Sequence, residues 1–365
     1  MKKKILKRGA IALASLVAVL LLAVIAYLVY VLVSYYRIED NLALSVEGES
    51  EYTSVATDVE YSVISYNIGF CAYTRDFGFF MDGGDESRAE SAESVRRVMG
   101  DINAFLYEEN ADFVLLQEVD KLATRSHHVD QVDLVRKQLA DTRKYSSSFA
   151  VNYDSPYLFY PFDEPHGKSL AGMLTMSKYA MKSSLRRSLP IEESLMKLVD
   201  LDRCYSVSRI DVEGGAELVI YTVHLSAYTS DGTVATRQLE MLLADMQSEY
   251  EKGNYVIAGG DFNKDLLGNS AEIFGVDGSG QTWAQPIPDE LFDGTALSLI
   301  APFDASAPVP SCRNADGPYH DGQFVLTVDG FIVSDNVEVV YANVIDLGFE
   351  YSDHNPVKMT FRLEK

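Results

Sequence analysis

Several polar side chains stand directly after short apolar runs, where a buried strand delivers its backbone to a ligand crevice. Val63-Ile64-Ser65-Tyr66 leads into Asn67, and Phe113-Val114-Leu115-Leu116 into Gln117-Glu118. Leu218–Val223 leads into His224, and Val256-Ile257-Ala258 leads through Gly259-Gly260 to Asp261-Phe262-Asn263. If the extended backbone continues there, Asp261 and Asn263 project to one face while Phe262 packs on the other. The two glycines let the backbone bend or come close to another group. Taken singly, each of these polar residues reads as a strand-end cap or turn former. The GGDFN run is the most informative of them.

Ser352-Asp353-His354-Asn355-Pro356 supplies a second imidazole just before the last apolar run. Adjacent strand residues face opposite ways, so Asp353 is poorly placed to orient its own neighbour His354. A carboxylate from another strand is better placed, and Asp329, in Leu326-Thr327-Val328-Asp329, is the candidate. Such a partner fixes an imidazole's tautomer and raises its basicity, as a general base requires.

The elements that must position these groups are legible in outline. Ser62–Tyr66, Phe113–Leu116, Gly172–Met176, Tyr205–Ile210, Leu218–Val223, Tyr255–Ala258, Phe324–Val333 and Val357–Leu363 read as strands. Glu90–Tyr107 carries Val95, Val98, Ile102, Phe105 and Leu106 at helical spacing, and Val234–Tyr250 does the same with Leu239, Leu242, Leu243 and Met246. Helices among many strands predict a layered α/β domain over residues 60–365. Lys264–Pro318, rich in Gly, Ser, Pro and Asp, reads as an irregular excursion rather than a separate domain.

Before this domain, residues 9–36 contain no charged side chain, and Ile11–Val33 is almost entirely Leu, Ile, Val and Ala. About 20 apolar residues suffice to cross the hydrocarbon core as a helix. A cleaved signal peptide would have an apolar region of roughly 7–15 residues and a small-x-small site. This run is longer and ends in Tyr35-Tyr36-Arg37, so it reads as an uncleaved single-pass anchor. Residues 1–8 hold five cations and only Arg37 follows the span directly, which predicts a cytoplasmic N-terminus and an extracytoplasmic domain. The acidic segment 37–59 reads as a linker.

The formal net charge is −23. An acidic body repels polyanions at long range, so a large basic nucleic-acid footprint is not expected. Cys71, Cys204 and Cys312 lie far apart with no CxxC spacing, which argues against a zinc cage and leaves room for one disulfide with one free thiol.

Together the motifs resemble those of the endonuclease/exonuclease/phosphatase superfamily, which includes the DNase I-like enzymes, along residues 61–363. SYNIGF, LLQEVD, TVHLSA, GGDFN, LTVDGFIVS and SDHNPV occur in the family's order. Phe77–Ser87, containing Met81-Asp82-Gly83-Gly84, matches none of its motifs and reads as a substrate loop peculiar to this branch.

The resemblance implies a four-layer α/β sandwich, two central mixed sheets flanked by helices, with the site at one edge of the sheets. It implies a Mg²⁺ or Mn²⁺ ion held mainly by Glu118, with help from Asn67 and Asp353. Magnesium prefers one or two carboxylates and several waters when a phosphate completes its shell. It further implies in-line attack of water on phosphorus: His354 oriented by Asp329 as base, Asp261 aligning the nucleophile, and His224 and Asn263 donating to the phosphoryl oxygens. A nucleic acid, a nucleotide or a lipid headgroup would serve as substrate, with no protein partner inferred. The alternatives are a lipid-headgroup phosphoesterase of the sphingomyelinase or phosphoinositide phosphatase kind, and a non-catalytic binding module on the same fold.

Other residues carry less. Arg125 is a weak substrate-binding candidate because a guanidinium suits phosphate. His127 and His128 read as a solvated loop, His166 and His320 as surface residues, and Trp283 as a surface aromatic.

Overall fold

The computed structural model describes every residue except 1, 141–142, 193–196, 198–200, 228–232, 282 and 284. Its strands are, in chain order, β1 (Leu42–Leu44), β2 (Val46–Glu47), β3 (Glu60–Asn67), β4 (Phe113–Asp120), β5 (Ser146–Asp154), β6 (Leu170–Ser177), β7 (Met181–Ser188) and β8 (Cys204–Asp211). Then follow β9 (Glu217–His224), β10 (Tyr255–Asp261), β11 (Leu297–Ile300), β12 (Cys312–Arg313), β13 (Val325–Leu326), β14 (Asp329–Ser334), β15 (Val337–Val344) and β16 (Val357–Leu363).

One mixed sheet has the order β1-β7-β8-β9-β10-β14-β11, the other β15-β16-β3-β4-β6-β5-β2, and β12 and β13 form a separate pair. Val63, Phe113, Leu115, Ile220, Ile257, Phe331, Met359 and Phe361 belong to a buried cluster that both sheets share. Helix Ala92–Glu109 covers the outer face of the second sheet through Val95, Val98, Met99, Ile102 and Leu106. Helix Thr233–Glu251 covers the first through Leu239, Leu242, Leu243 and Met246. The four layers implied by the resemblance are the observed architecture.

Local chemistry explains the first covering helix. The Ser91 side chain accepts from the Ser94 amide at its start, and Asn110 closes it in the left-handed conformation. Parallel pairing of β3 with β4 and of β9 with β10 sends four strand ends to the same edge of the sandwich.

Three features differ from expectation. Within the 37–59 segment, read as a linker, β1 pairs with β7 and β2 with β5, so the segment adds a strand to each sheet. The run Phe324–Val333 is two strands, broken at Thr327-Val328. Strands β5 and β7 carry too many serines to be seen by hydropathy. One serine of each faces the sheet interface, where Ser148 Oγ donates to Ser184 Oγ at 2.7 Å and Ser184 and Ser208 lie 3.1 Å apart. Thr175 continues this buried polar seam to Thr222 at 2.5 Å and to Ser206 at 3.2 Å. Buried hydroxyls are tolerated because each finds a partner. All three cysteines are free and buried.

Candidate active site

At the sheet edge the register itself assembles the first three groups. Asp261, the last residue of β10, is paired with His224 of β9 on one side and Asp329 of β14 on the other. Directly paired residues point to the same face, so a carboxylate sits between an imidazole and a second carboxylate. Close strand approach at this point requires glycine, since a Cβ on Gly260 would lie 2.0 Å from the Val223 carbonyl oxygen.

His354 enters from the segment preceding β16. Its Nδ1 lies 2.7 Å from Asp329 Oδ2, and its Nε2 faces Asp261 Oδ2 at 3.8 Å. Ser311 Oγ donates to the same Asp329 oxygen at 2.8 Å while accepting the Val328 and Asp329 amides. Asn67 lies at the centre. Its Nδ2 is 3.3 Å from Glu118 Oε1, 3.1 Å from Asp261 Oδ2 and 3.4 Å from His354 Nε2.

Glu118 reaches this cluster through a backbone irregularity. The β4–β6 register shifts between Leu116 and Val119, and Glu118 has φ +55°. A bulge of this kind re-aims a side chain and bends the strand, and the left-handed conformation costs a non-glycine residue about 1 kcal/mol. On the opposite wall, Asp353 is held close to Gly69, where an added Cβ would meet Asp353 Oδ1 at 3.1 Å and the Tyr73 ring at 2.9 Å. Gly69 also has φ +48°.

The electrostatics follow from crowding acids out of water. Burial pushes Asp261 up to about 7, with Asp329 adding to the shift and His354 opposing it. Burial likewise pushes Asp353 up to about 6, with His354 opposing and Glu118 adding. Burial alone would lower His354, but the charge of Asp329, with smaller contributions from Cys312 and Asp353, holds it well above its ordinary value. His224 is the converse: burial, then Arg203, His354 and Arg125, hold it well below, so it is neutral at pH 7. Its buried Nδ1 has no hydrogen-bond partner among the described residues.

Asn263 is buried, with its Nδ2 on the Leu225 carbonyl at 2.9 Å and its amide on Asp261 Oδ1 at 2.8 Å. Thus the structure gathers Asn67, Glu118, His224, Asp261, Asn263, Asp329, Asp353 and His354 at one edge.

Arg125 requires a correction. It is buried, its Nε and Nη2 bind Asp120 at 2.8–3.2 Å, and it lies 3.9 Å over the Phe70 ring. These contacts brace the end of β4 beyond Glu118 instead of leaving a free guanidinium for substrate. His166 is another: it is buried, not on the surface, with Nδ1 3.1 Å from the Ser87 carbonyl. His127 and His128 contact the Ala89 and Leu122 carbonyls, and His320 is exposed as expected.

Sequence reasoning missed the seat of His354. Residues 311–313, inside the supposed excursion, pair with the His354 segment: the Arg313 amide donates to the Asp353 carbonyl at 2.9 Å and the Asn355 amide to the Ser311 carbonyl at 2.7 Å. Cys312 Sγ lies 3.6 Å from His354 Nε2. A lone Cys-Arg in a run rich in Pro and Gly gave no local signal for this.

Residues 64–354 match the family described as "Endonuclease/Exonuclease/phosphatase family". The chain belongs to this family. Membership places it among the hydrolases that cleave phosphoester bonds. No curated protein matches it significantly.

Solved structures share the fold. An endonuclease/exonuclease/phosphatase from Beutenbergia cavernae is 20% identical, with a TM-score of 0.55 over 84% of this chain and 72% of that one. ANGEL2, described as a 2',3'-cyclic phosphatase in complex with adenosine-2',3'-vanadate, is 18% identical, with a TM-score of 0.57 over 89% and 99%. A family protein from Leptotrichia buccalis is 13% identical, with a TM-score of 0.54 over 83% and 100%.

Proposed function

We propose that this chain is a membrane-anchored, magnesium-dependent phosphoesterase in which His354, oriented by Asp329, is the general base. The observation that carries the reading is the 2.7 Å contact between His354 Nδ1 and Asp329 Oδ2, which leaves Nε2 facing the acidic centre. With Nδ1 committed as a donor, Nε2 is the atom that takes a proton from water once the imidazole, whose basicity Asp329 raises, has given up its own. Asp261 stands beside it to align that water, and neutral His224 offers an N–H to a phosphoryl oxygen or to the leaving group. Asn263 adds a further amide next to Asp261.

The residues present fit a hard cation. Glu118 and Asp353 offer carboxylate oxygens, while Asn67, whose Oδ1 accepts the Gly69 amide at 3.0 Å, turns its Nδ2 toward the cluster. The raised carboxyls of Asp261 and Asp353 mark a place short of positive charge. Asp261, Asp329 and His354 also lie close enough to share an ion, within 4.8 Å. Their internal hydrogen bond already accounts for that proximity, so Glu118 and Asp353, with Asn67 beside them, are the preferred set. When bound, magnesium or manganese would supply charge neutralisation for the phosphoryl group in the transition state.

Helix Lys3–Ser34, with mean hydropathy 3.1 and only 6% of its apolar window buried, supports an anchor. The cation excess before it supports a cytoplasmic N-terminus with the catalytic domain outside. The test is hydrolysis by the full chain in detergent with Mg²⁺ or Mn²⁺, across DNA, RNA, nucleotides, sphingomyelin and phosphoinositides. His354→Ala should abolish turnover of whichever substrate is cleaved. Full activity in that variant removes the proposed base, and wild-type inertness across the panel favours a binding module on this fold.

A further inference from the structure

The loop that follows β5 presents Phe159, Tyr160 and Phe162 at 51%, 63% and 84% exposure. Surface loops are ordinarily polar, and clustered exposed rings mark an interaction site. The first of these rings, with Tyr157 before it, abuts the N-terminal helix. The Tyr27 hydroxyl donates to the Tyr157 carbonyl at 3.2 Å, the Tyr157 amide donates to the Tyr30 hydroxyl at 3.0 Å, and the Tyr27 and Phe159 rings meet edge-on at 5.2 Å.

We propose that residues 157–162 form an interfacial foot that inserts its rings into the outer headgroup boundary of the lipid bilayer. The proposal rests on the reading that the N-terminal helix spans that bilayer. Its depth follows from counting: about 20 residues beyond Arg8 puts the outer hydrocarbon edge near Leu28. Tyr27 and Tyr30 straddle that point, so the loop touching both lies at the level where amphipathic rings are most favourable. Charge does not drive the contact. Asp163 and Glu164 follow the rings directly, and the chain carries −23 overall, so ring burial in a neutral lipid surface is the driving force.

The foot is tied to the catalytic rim by an unbroken series of ring contacts. Tyr160 meets Phe80 at 5.7 Å, Phe80 meets Phe79 at 4.8 Å, and Phe79 meets Tyr73 at 5.5 Å. Tyr73 packs against Gly69, beside Asp353. The Phe77–Ser87 loop, which matches no family motif, thereby couples the foot to the site and holds the rim at the lipid surface.

The test uses the full chain in phosphatidylcholine vesicles, with single cysteines carrying an environment-sensitive nitrobenzoxadiazole label. The native thiols are buried and give little background. Labels at Phe162→Cys and Tyr160→Cys should shift to the blue and lose about half their emission to shallow doxyl-phosphatidylcholine, in the depth range of an interfacial element. A label at Val340→Cys, on the edge strand β15 at the far side of its sheet from β5, should do neither. A label at Leu20→Cys, read with doxyl groups deep in the acyl chain, reports on the anchor. Quenching at Leu20 with residues 160 and 162 behaving like 340 overturns the foot and spares the anchor. Quenching at 160 and 162 without Leu20 retains the foot and overturns the span, and no quenching at any position overturns both.

Discussion

His354 and Asp329, 25 residues apart in sequence, meet through Nδ1 and Oδ2 at 2.7 Å, and Ser311 holds the same oxygen from the other side. The carboxylate is thus fixed before it fixes the imidazole. Asp329→Asn should therefore lower kcat about 10²–10⁴-fold, because the amide offers a donor where the tautomer needs an acceptor. KM should change little. Steady-state kinetics on the substrate found by the panel check this, and unchanged kcat would separate the pair from the chemistry.

Glu118 is aimed by a bulge rather than by regular strand geometry. Glu118→Gln should keep the fold and lower Mn²⁺ affinity about tenfold or more, read by electron paramagnetic resonance of the free ion. Chelation of metal from the wild type should abolish turnover, and added Mg²⁺ should restore it. Equal ion binding by the variant would move the metal elsewhere in the cluster.

The buried pair Arg125–Asp120 offers a stability test distinct from catalysis. Asp120→Asn leaves the guanidinium uncompensated and should cost about 3–5 kcal/mol in denaturant unfolding. The double variant Asp120→Asn with Arg125→Met should recover much of that loss. A single-variant effect near zero would mean that water reaches the pair.

Burial, reinforced by the charge of Arg125, pushes His166 down to about 3. Its folded value lies below its unfolded value, so the unfolded chain binds the proton first. The resulting stability is fully present above about pH 6.5 and is lost as pH falls toward 3, amounting to roughly 4–5 kcal/mol at most. His166→Asn, which retains a donor toward the Ser87 carbonyl, should flatten this part of the pH–stability curve. Identical acid slopes in the two proteins would show that the imidazole is protonated in the fold.

The hydroxyl seam between the sheets is open to a double-mutant cycle. Thr175→Val strands the Thr222 hydroxyl and should cost about 1–3 kcal/mol, Thr222→Val leaves Thr175 bonded to Ser206 and should cost less, and the double variant should cost less than the sum. Additive losses would mean the two hydroxyls do not interact.

The amino-acid sequence by itself determined the anchor-length helix, the two covering helices and the most apolar strands, because periodicity and length are local properties of the chain. It also placed polar groups at the ends of Val63–Tyr66, Leu218–Val223 and Val256–Ala258, because a run of apolar residues ending in Asn, His or Asp is visible without knowing its neighbours. The tertiary structure alone decided which of those groups meet. Asn67 and His354 are 287 residues apart, and their contact depends on β16 pairing with β3 in one register. The same holds for the bulge that turns Glu118 inward, the seat at residues 311–313, the serine-rich strands β5 and β7, and the two short strands of the 37–59 segment. Each owes its place to a partner strand or side chain distant in sequence, and hydropathy along the chain carries no record of that partner.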